Sequence, residues 1–245
     1  MISNLNSILE KNVNIYKEIT PFSHIRLKNL FSTELLDDLL NNILEIKDKY
    51  KWWRLCTKGS DFSDFGKSAE VLTNYLISNE WVNFLSNLTG IKNLRADKSW
   101  HGSGINFEKR GCHLEPHTDF THSKNIGYRR VNVLLFLSKN WKKDWGGYNE
   151  LGRFENNMYE RIKSYKPEFN TMVIFNTSSI SFHGFDLVKC PEDKARIVVS
   201  CYYYTDDKGP HKKKSESTNY VGWDKERKQK KEYLHRDGTG WRKLK

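Results

Sequence analysis

The chain reads as an α+β protein in which helices come first and a barrel-like β core follows. Three observations predict this. Apolar residues recur at helical spacing between about residues 32 and 89. From Leu94 onward the pattern changes to short runs rich in β-branched and aromatic residues, broken by Gly, Asn and Pro. At 245 residues, with five prolines and no long polar linker, the chain can form a single unit around one sizeable core. Helices and strands segregated along the sequence define the α+β plan.

The elements follow in order. Residues 23–28 (SHIRLK) alternate and predict a strand. Ser32 is placed as an N-cap, with Phe31 before it and Leu36 after it set for a hydrophobic staple. Leu35, Leu36, Leu39, Leu40, Ile43 and Leu44 continue that helix to about Tyr50. Residues 68–77 and 79–89 predict two more helices, the second stopped by Gly90. Their apolar stripes are faces that pack outside a sheet. Strands are then expected at 130–141 (RVNVLLFLSKNW), 171–176 (TMVIFN) and 195–205 (ARIVVSCYYYT), with a turn at Trp145-Gly146-Gly147.

Within that β region one segment carries chemistry, His117-Thr118-Asp119. Residues i and i+2 of an extended strand project to one side, so an imidazole and a carboxylate can meet at one point. His183, 64 residues beyond Asp119 in Phe182-His183-Gly184, is the candidate third ligand. Two histidines and one carboxylate on one face leave coordination positions open, the recurrent ligand pattern of non-haem Fe(II) oxygenases. Arg196 opens an otherwise apolar strand and shares a face with Val198, Ser200 and Tyr202. A buried guanidinium needs an anion, and its planar fork suits a carboxylate. That anion is either a dicarboxylate cosubstrate such as 2-oxoglutarate or a neighbouring Asp193 or Glu192.

The order and spacing of these pieces across residues 95–205 resemble the 2-oxoglutarate- and Fe(II)-dependent dioxygenases, and within them the prolyl 4-hydroxylase-like group. The resemblance implies a double-stranded β-helix (jelly-roll) core supported by the N-terminal helices. It implies iron held by His117, Asp119 and His183, with these three carrying the catalysis. Arg196 is implied to take the distal carboxylate of 2-oxoglutarate, assisted by Ser200. Phe107 and Phe136 are implied to border that cosubstrate, where related enzymes often carry a tyrosine whose hydroxyl a phenylalanine cannot replace. O2 is the second cosubstrate, with ascorbate as an accessory reductant. The implied reaction is hydroxylation of an unactivated C–H bond, with succinate and CO2 as coproducts. Asp119 favours hydroxylation over halogenation, because halogenating relatives lack that carboxylate. The substrate would be a small molecule, a prolyl or other peptidyl side chain, a free amino acid or a saccharide. Two departures stand out. The interval from His183 to Arg196 is long, and residues 148–152 (YNELG) replace the usual apolar strand after the glycine pair.

Other features were weighed against this reading. His113 and His122 lie near His117, but structural zinc needs four N or S ligands in close pairs, and Cys56, Cys112, Cys190 and Cys201 form none. Each of the two histidines is either an outer partner or substrate contact beside the site or a solvated loop histidine, and His24 and His101 have no expected role. The pocket is expected to be lined by residues 120–130 and 148–153 and by Trp52 and Trp53. Arg129 or Arg130 is expected either to meet a substrate anion or to lie on the surface.

The net charge of +11 is concentrated after residue 207. We divide the chain into a dioxygenase domain, 1–207, and a basic extension, 208–245, in which Tyr220, Trp223, Tyr233 and Trp241 interleave with Lys and Arg. The extension either holds an anionic polymer through phosphate contacts and base stacking, or docks as a solvated, partly helical tail along residues 223–234. The alternative to an enzyme is therefore a non-catalytic β-barrel module that binds such a polymer. No apolar run is long enough to span a membrane, and no signal peptide is evident. Irregularly spaced thiols and a ferrous centre suit a reducing, cytoplasmic setting.

Overall fold

The computed structural model describes residues 4–47, 62–100, 102–211, 215–221, 235–236 and 241–242. Trp52 and Trp53, residues 48–50 at the end of the helix expected from Ser32, and the expected helix over 223–234 lie outside the described residues.

Four helices are present among the described residues: α1 (Leu5–Glu18), α2 (Thr33–Ile46), α3 (Gly66–Leu76) and α4 (Asn79–Thr89). The Ser32 hydroxyl accepts from Leu35 N at 3.3 Å, and Ser78 accepts likewise from Trp81 N, so both helices start on capped N–H groups. Gly90, at φ 72°, ends α4 in the left-handed conformation. Helix α1 was not expected. Its apolar face is thin, with Leu5, Ile8 and Leu9 only partly buried and Tyr16 alone fully so.

The strands are β1 (His24–Lys28), β2 (Arg95–Ala96), β3 (Gly104–Glu108), β4 (Leu114–Thr118), β5 (His122–Ser123), β6 (Gly127–Phe136) and β7 (Asn149–Glu155). They continue with β8 (Met158–Tyr165), β9 (Thr171–Asn176), β10 (Phe182–Phe185), β11 (Arg196–Thr205) and β12 (Asn219–Tyr220). Apart from both sheets, β13 (His235–Arg236) pairs antiparallel with β14 (Trp241–Arg242).

Every pairing between strands is antiparallel. One sheet runs β1-β9-β6-β11-β2, with β3 also on β11 and β5 on β6; the second runs β12-β4-β10-β7-β8. The α+β plan with a jelly-roll core is thus the observed one. Residues 149–152, read as a departure from the strand pattern, do form a strand: they open β7 and pair with β10. Polar side chains there hid it, because Asn149 and Glu150 are buried beside Leu151.

The near-continuous apolar character of β6, β9 and β11 follows from burial on both faces. Val131, Val133, Leu135, Met172, Ile174, Ile197, Val199 and Cys201 join the helices in the larger core. Phe136, Val173, Phe175 and Val198 point the other way and meet Leu151 of the second sheet. Helices and sheet are also tied by a polar bridge. The Trp81 indole donates to the Tyr203 hydroxyl at 2.8 Å, which donates to the Leu76 carbonyl at 2.8 Å. Tyr203→Phe leaves a buried indole N–H and a helix carbonyl unmet, at about 1–3 kcal/mol. We expect the melting temperature to fall by roughly 2–4 °C per kcal/mol lost. An unchanged thermal melt would show that the bridge contributes nothing.

Candidate metal centre

Strand β4 ends at Thr118 and delivers His117 and, one step beyond, Asp119. Strand β10 returns antiparallel beside it, and its register sets His183 directly opposite His117. Cross-strand partners share a face, which is how a 64-residue separation between Asp119 and His183 closes to contact. Gly184 permits the approach: a Cβ there would sit 2.5 Å from the Leu114 carbonyl oxygen. The β10–β4 register shifts after His183, so the ladder bulges next to Pro116, which has no N–H to give.

The result is a buried cluster. His117, Asp119 and His183 are 4 %, 7 % and 5 % exposed, and each offers a ligand atom within 4.8 Å of the other two. His117 Nε2 is 3.7 Å from Asp119 Oδ1, and His183 Nε2 is 3.7 Å from Asp119 Oδ2. In both imidazoles Nδ1 contacts a carbonyl two residues back, Glu115 O at 2.8 Å and Ser181 O at 3.0 Å. A carbonyl only accepts, so Nδ1 carries the hydrogen and the Nε2 lone pair faces the cluster. Burial, reinforced by the neighbouring His117, pushes the His183 pKa down to about 4, so the ring is neutral.

Asp119 is kept ionised. Burial alone would raise its pKa, but the adjacent Arg129 guanidinium outweighs it and holds the carboxyl well below the usual range. Arg129 Nη1 lies 3.3 Å from Asp119 Oδ2, to which Asn132 Nδ2 also donates at 3.1 Å. The guanidinium is clamped between the Phe120 and Tyr202 rings, each centroid 3.6 Å from Cζ. Two imidazole Nε2 atoms and one anionic carboxylate fit a divalent first-row metal. The three ligand atoms lie within 4.8 Å of one another, close enough for a single ion to take all three.

The other expected residues are distributed as follows. Arg196 is 2 % exposed, and its Nε donates to the Gly147 carbonyl at 2.8 Å. Its Nη1 pairs with Glu108, the residue opposite it on β3, rather than with Asp193 or Glu192. Gly147, at φ 65°, admits this: a Cβ would lie 3.2 Å from Arg196 Cδ. Ser200 shares the inner face but is engaged, donating to Gly104 O at 3.2 Å and accepting from Asn106 Nδ2 at 3.4 Å. Phe136 lines the inner cluster, 5.1 Å from the Arg196 guanidinium. Phe107 does not. It pairs with Ile197 and packs in the helix-side core, on the opposite face from Arg196, because residues 107 and 108 alternate across the pleat.

His113 and His122 stay outside the cluster: His113 is buried, while His122 packs on Tyr128 with Nδ1 4.0 Å from Glu216. Arg130 reaches Thr205 Oγ1 and the Asp207 carbonyl at the surface. Three functional candidates were not expected: Glu108, Asn132 and the buried position of Arg129. A groove of about 830 Å³, bordered by Arg95, Asp97, Phe120, His122 and Glu216, adjoins the site through Phe120.

This fold and this set of two imidazoles and one carboxylate are the arrangement expected of a non-haem metal oxygenase. Residues 103–204 match the model of the 2OG-Fe(II) oxygenase superfamily. It is 27 % identical over 192 residues to prolyl 3-hydroxylase OGFOD1 of Xenopus laevis, covering 76 % of this chain but only 34 % of that protein. The chain therefore spans about a third of that relative's length. Among solved structures, the fold is shared with a prolyl 4-hydroxylase of Phytophthora capsici at TM-score 0.63 and 16 % identity, covering 86 % of this chain and 68 % of that one. It is shared also with a prolyl hydroxylase of Trichoplax adhaerens, solved with a hypoxia inducible factor peptide, at TM-score 0.57 and 15 % identity, covering 83 % and 94 %.

Proposed function

We propose that this chain is an Fe(II)- and 2-oxoglutarate-dependent hydroxylase that oxidises an unactivated C–H bond of a prolyl or other peptidyl side chain, with succinate and CO2 as coproducts. The observation that carries the reading is the buried convergence of His117, Asp119 and His183. His117 Nε2, the Asp119 carboxylate and His183 Nε2 would hold the iron. Iron, with 2-oxoglutarate and O2, supplies the oxidising power when bound. The protein's share is positioning and electrostatics. Arg129 and Asn132 hold the Asp119 carboxylate, and the paired carbonyls fix both imidazoles.

Arg196 takes the distal carboxylate of 2-oxoglutarate in this reading. It is already oriented by Gly147 and Glu108, so the incoming carboxylate shares a preset fork. Ser200 and Phe136 stand on the same side. A peptidyl substrate is supported by the prolyl hydroxylases to which the chain is similar. The groove beside Phe120 supplies a surface for residues flanking the oxidised one. Residues 1–207 form the catalytic unit in this account, and residues 215–221 of the extension add to it. Among the described residues no helix is long and apolar enough to cross a membrane, and Cys112, Cys190 and Cys201 are free thiols, which suits the cytoplasm.

The test is direct. Protein purified without oxygen is given Fe(II), 2-oxoglutarate, ascorbate and air, with a panel of proline-containing peptides. We expect slow succinate release without peptide, faster release with a substrate, and a product heavier by one oxygen atom. No succinate above a chelator-treated control would overturn the proposal.

A further inference from the structure

We infer that Tyr220, carried on the C-terminal strand β12, is a positioning residue for the metal site, its ring holding the His117 imidazole in the ligating orientation. The inference rests on the metal reading above but concerns a residue outside the segment matched to the superfamily, 103–204.

After β11 the chain turns back across the site and is pinned there. The His211 Nε2–H donates to the Arg129 carbonyl at 2.7 Å. The N–H groups of Thr121 and His122, just past Asp119, donate to Ser215 O at 2.8 and 3.0 Å, and Ser215 N donates to Thr121 Oγ1 at 2.9 Å. Asn219 and Tyr220 then pair with Thr118 and His117, and Val221 N donates to Pro116 O at 3.0 Å. Strand β12 so covers what would otherwise be the open edge of the ligand strand β4.

The pairing puts Tyr220 on the same face as His117. Their ring centroids are 5.1 Å apart at 33°. His117 faces His183 at 4.3 Å, and His183 faces Phe175 at 4.7 Å, so four rings form a row with the two metal-facing imidazoles in the middle. Fully buried Phe175 closes the inner end; half-buried Tyr220 closes the outer one. Each imidazole is pinned at Nδ1 by a single carbonyl, which still lets the ring tilt about that bond. His183 gets its second restraint from the core. His117 gets it from Tyr220.

Co(II) is the probe, since its visible absorption bands report ligand geometry independently of turnover. Full-length wild type, Tyr220→Phe, Tyr220→Ala and Tyr220→Leu are stripped of metal and titrated without oxygen. We expect Tyr220→Phe to match wild type in affinity and spectrum. The Ala and Leu variants should bind about tenfold more weakly, as when an outer partner of a ligand is lost, with shifted bands. Leu keeps apolar bulk on the strand without a flat face, so it separates ring contact from loss of β12 packing. Ala and Leu variants that bind like wild type would overturn the inference, as would a Phe variant as weak as Ala. If wild-type protein itself took up no Co(II), the metal centre would fall, and the inference with it.

Discussion

Replacing His183 by alanine is expected to reduce 2-oxoglutarate turnover by at least about 100-fold, the upper end of what losing a mere outer partner costs a metal site. The reason lies in the donor set. Among the described residues, two imidazoles and one carboxylate make up the whole cluster, since His113 and His122 stand outside it. Removing His183 also leaves Phe175 facing a void. Asp119→Ala should be as severe and less stable, because it strands the buried Arg129 guanidinium. The measurement is succinate release at saturating Fe(II), alongside a thermal melt. A variant that keeps wild-type turnover while correctly folded would remove His183 from the site.

The second large effect concerns Arg196, which under the proposed function has a second role beside its pair with Glu108. It neutralises Glu108, and both side chains are nearly inaccessible. Arg196→Met leaves the Glu108 charge buried without a partner, at about 3–5 kcal/mol, or on the order of 10 °C in melting temperature. Pairing it with Glu108→Gln should restore most of that stability, because no uncompensated charge remains. The KM for 2-oxoglutarate should nonetheless stay raised by roughly thirtyfold or more, the low end of what truncating a buried charge partner costs a complex. Stability and cosubstrate affinity thereby separate. Should the double variant regain both, Arg196 would serve only its pair with Glu108.

Much of the site could be read from the chain because its geometry is local. His117 and Asp119 are two residues apart at a strand end, and the glycine after His183 marks a close approach. The helices at 33–46 and 79–89 carried dense apolar stripes, with Ser32 to start the first and Gly90 to stop the second, so they were legible too. What was missed depends on register. Glu108 meets Arg196 only because β3 and β11 align residue 108 with 196, and adjacent Phe107 then has to face the other way. Arg129 turns inward because the β6–β11 ladder slips between Tyr203 and Tyr204, pairing them with Val131 and Arg129 and skipping Arg130. No local pattern announces such a bulge. Tyr220 lay in a basic stretch whose aromatics suggested stacking on a ligand, whereas this one pairs with His117. Helix α1 escaped notice because it buries a single side chain completely.

The most direct measurement is anomalous X-ray scattering at the iron edge from crystals grown without oxygen in Fe(II). The account predicts one strong peak within bonding distance of His117 Nε2, an Asp119 carboxylate oxygen and His183 Nε2. An iron peak elsewhere, or none between these three side chains in otherwise ordered crystals, would contradict it.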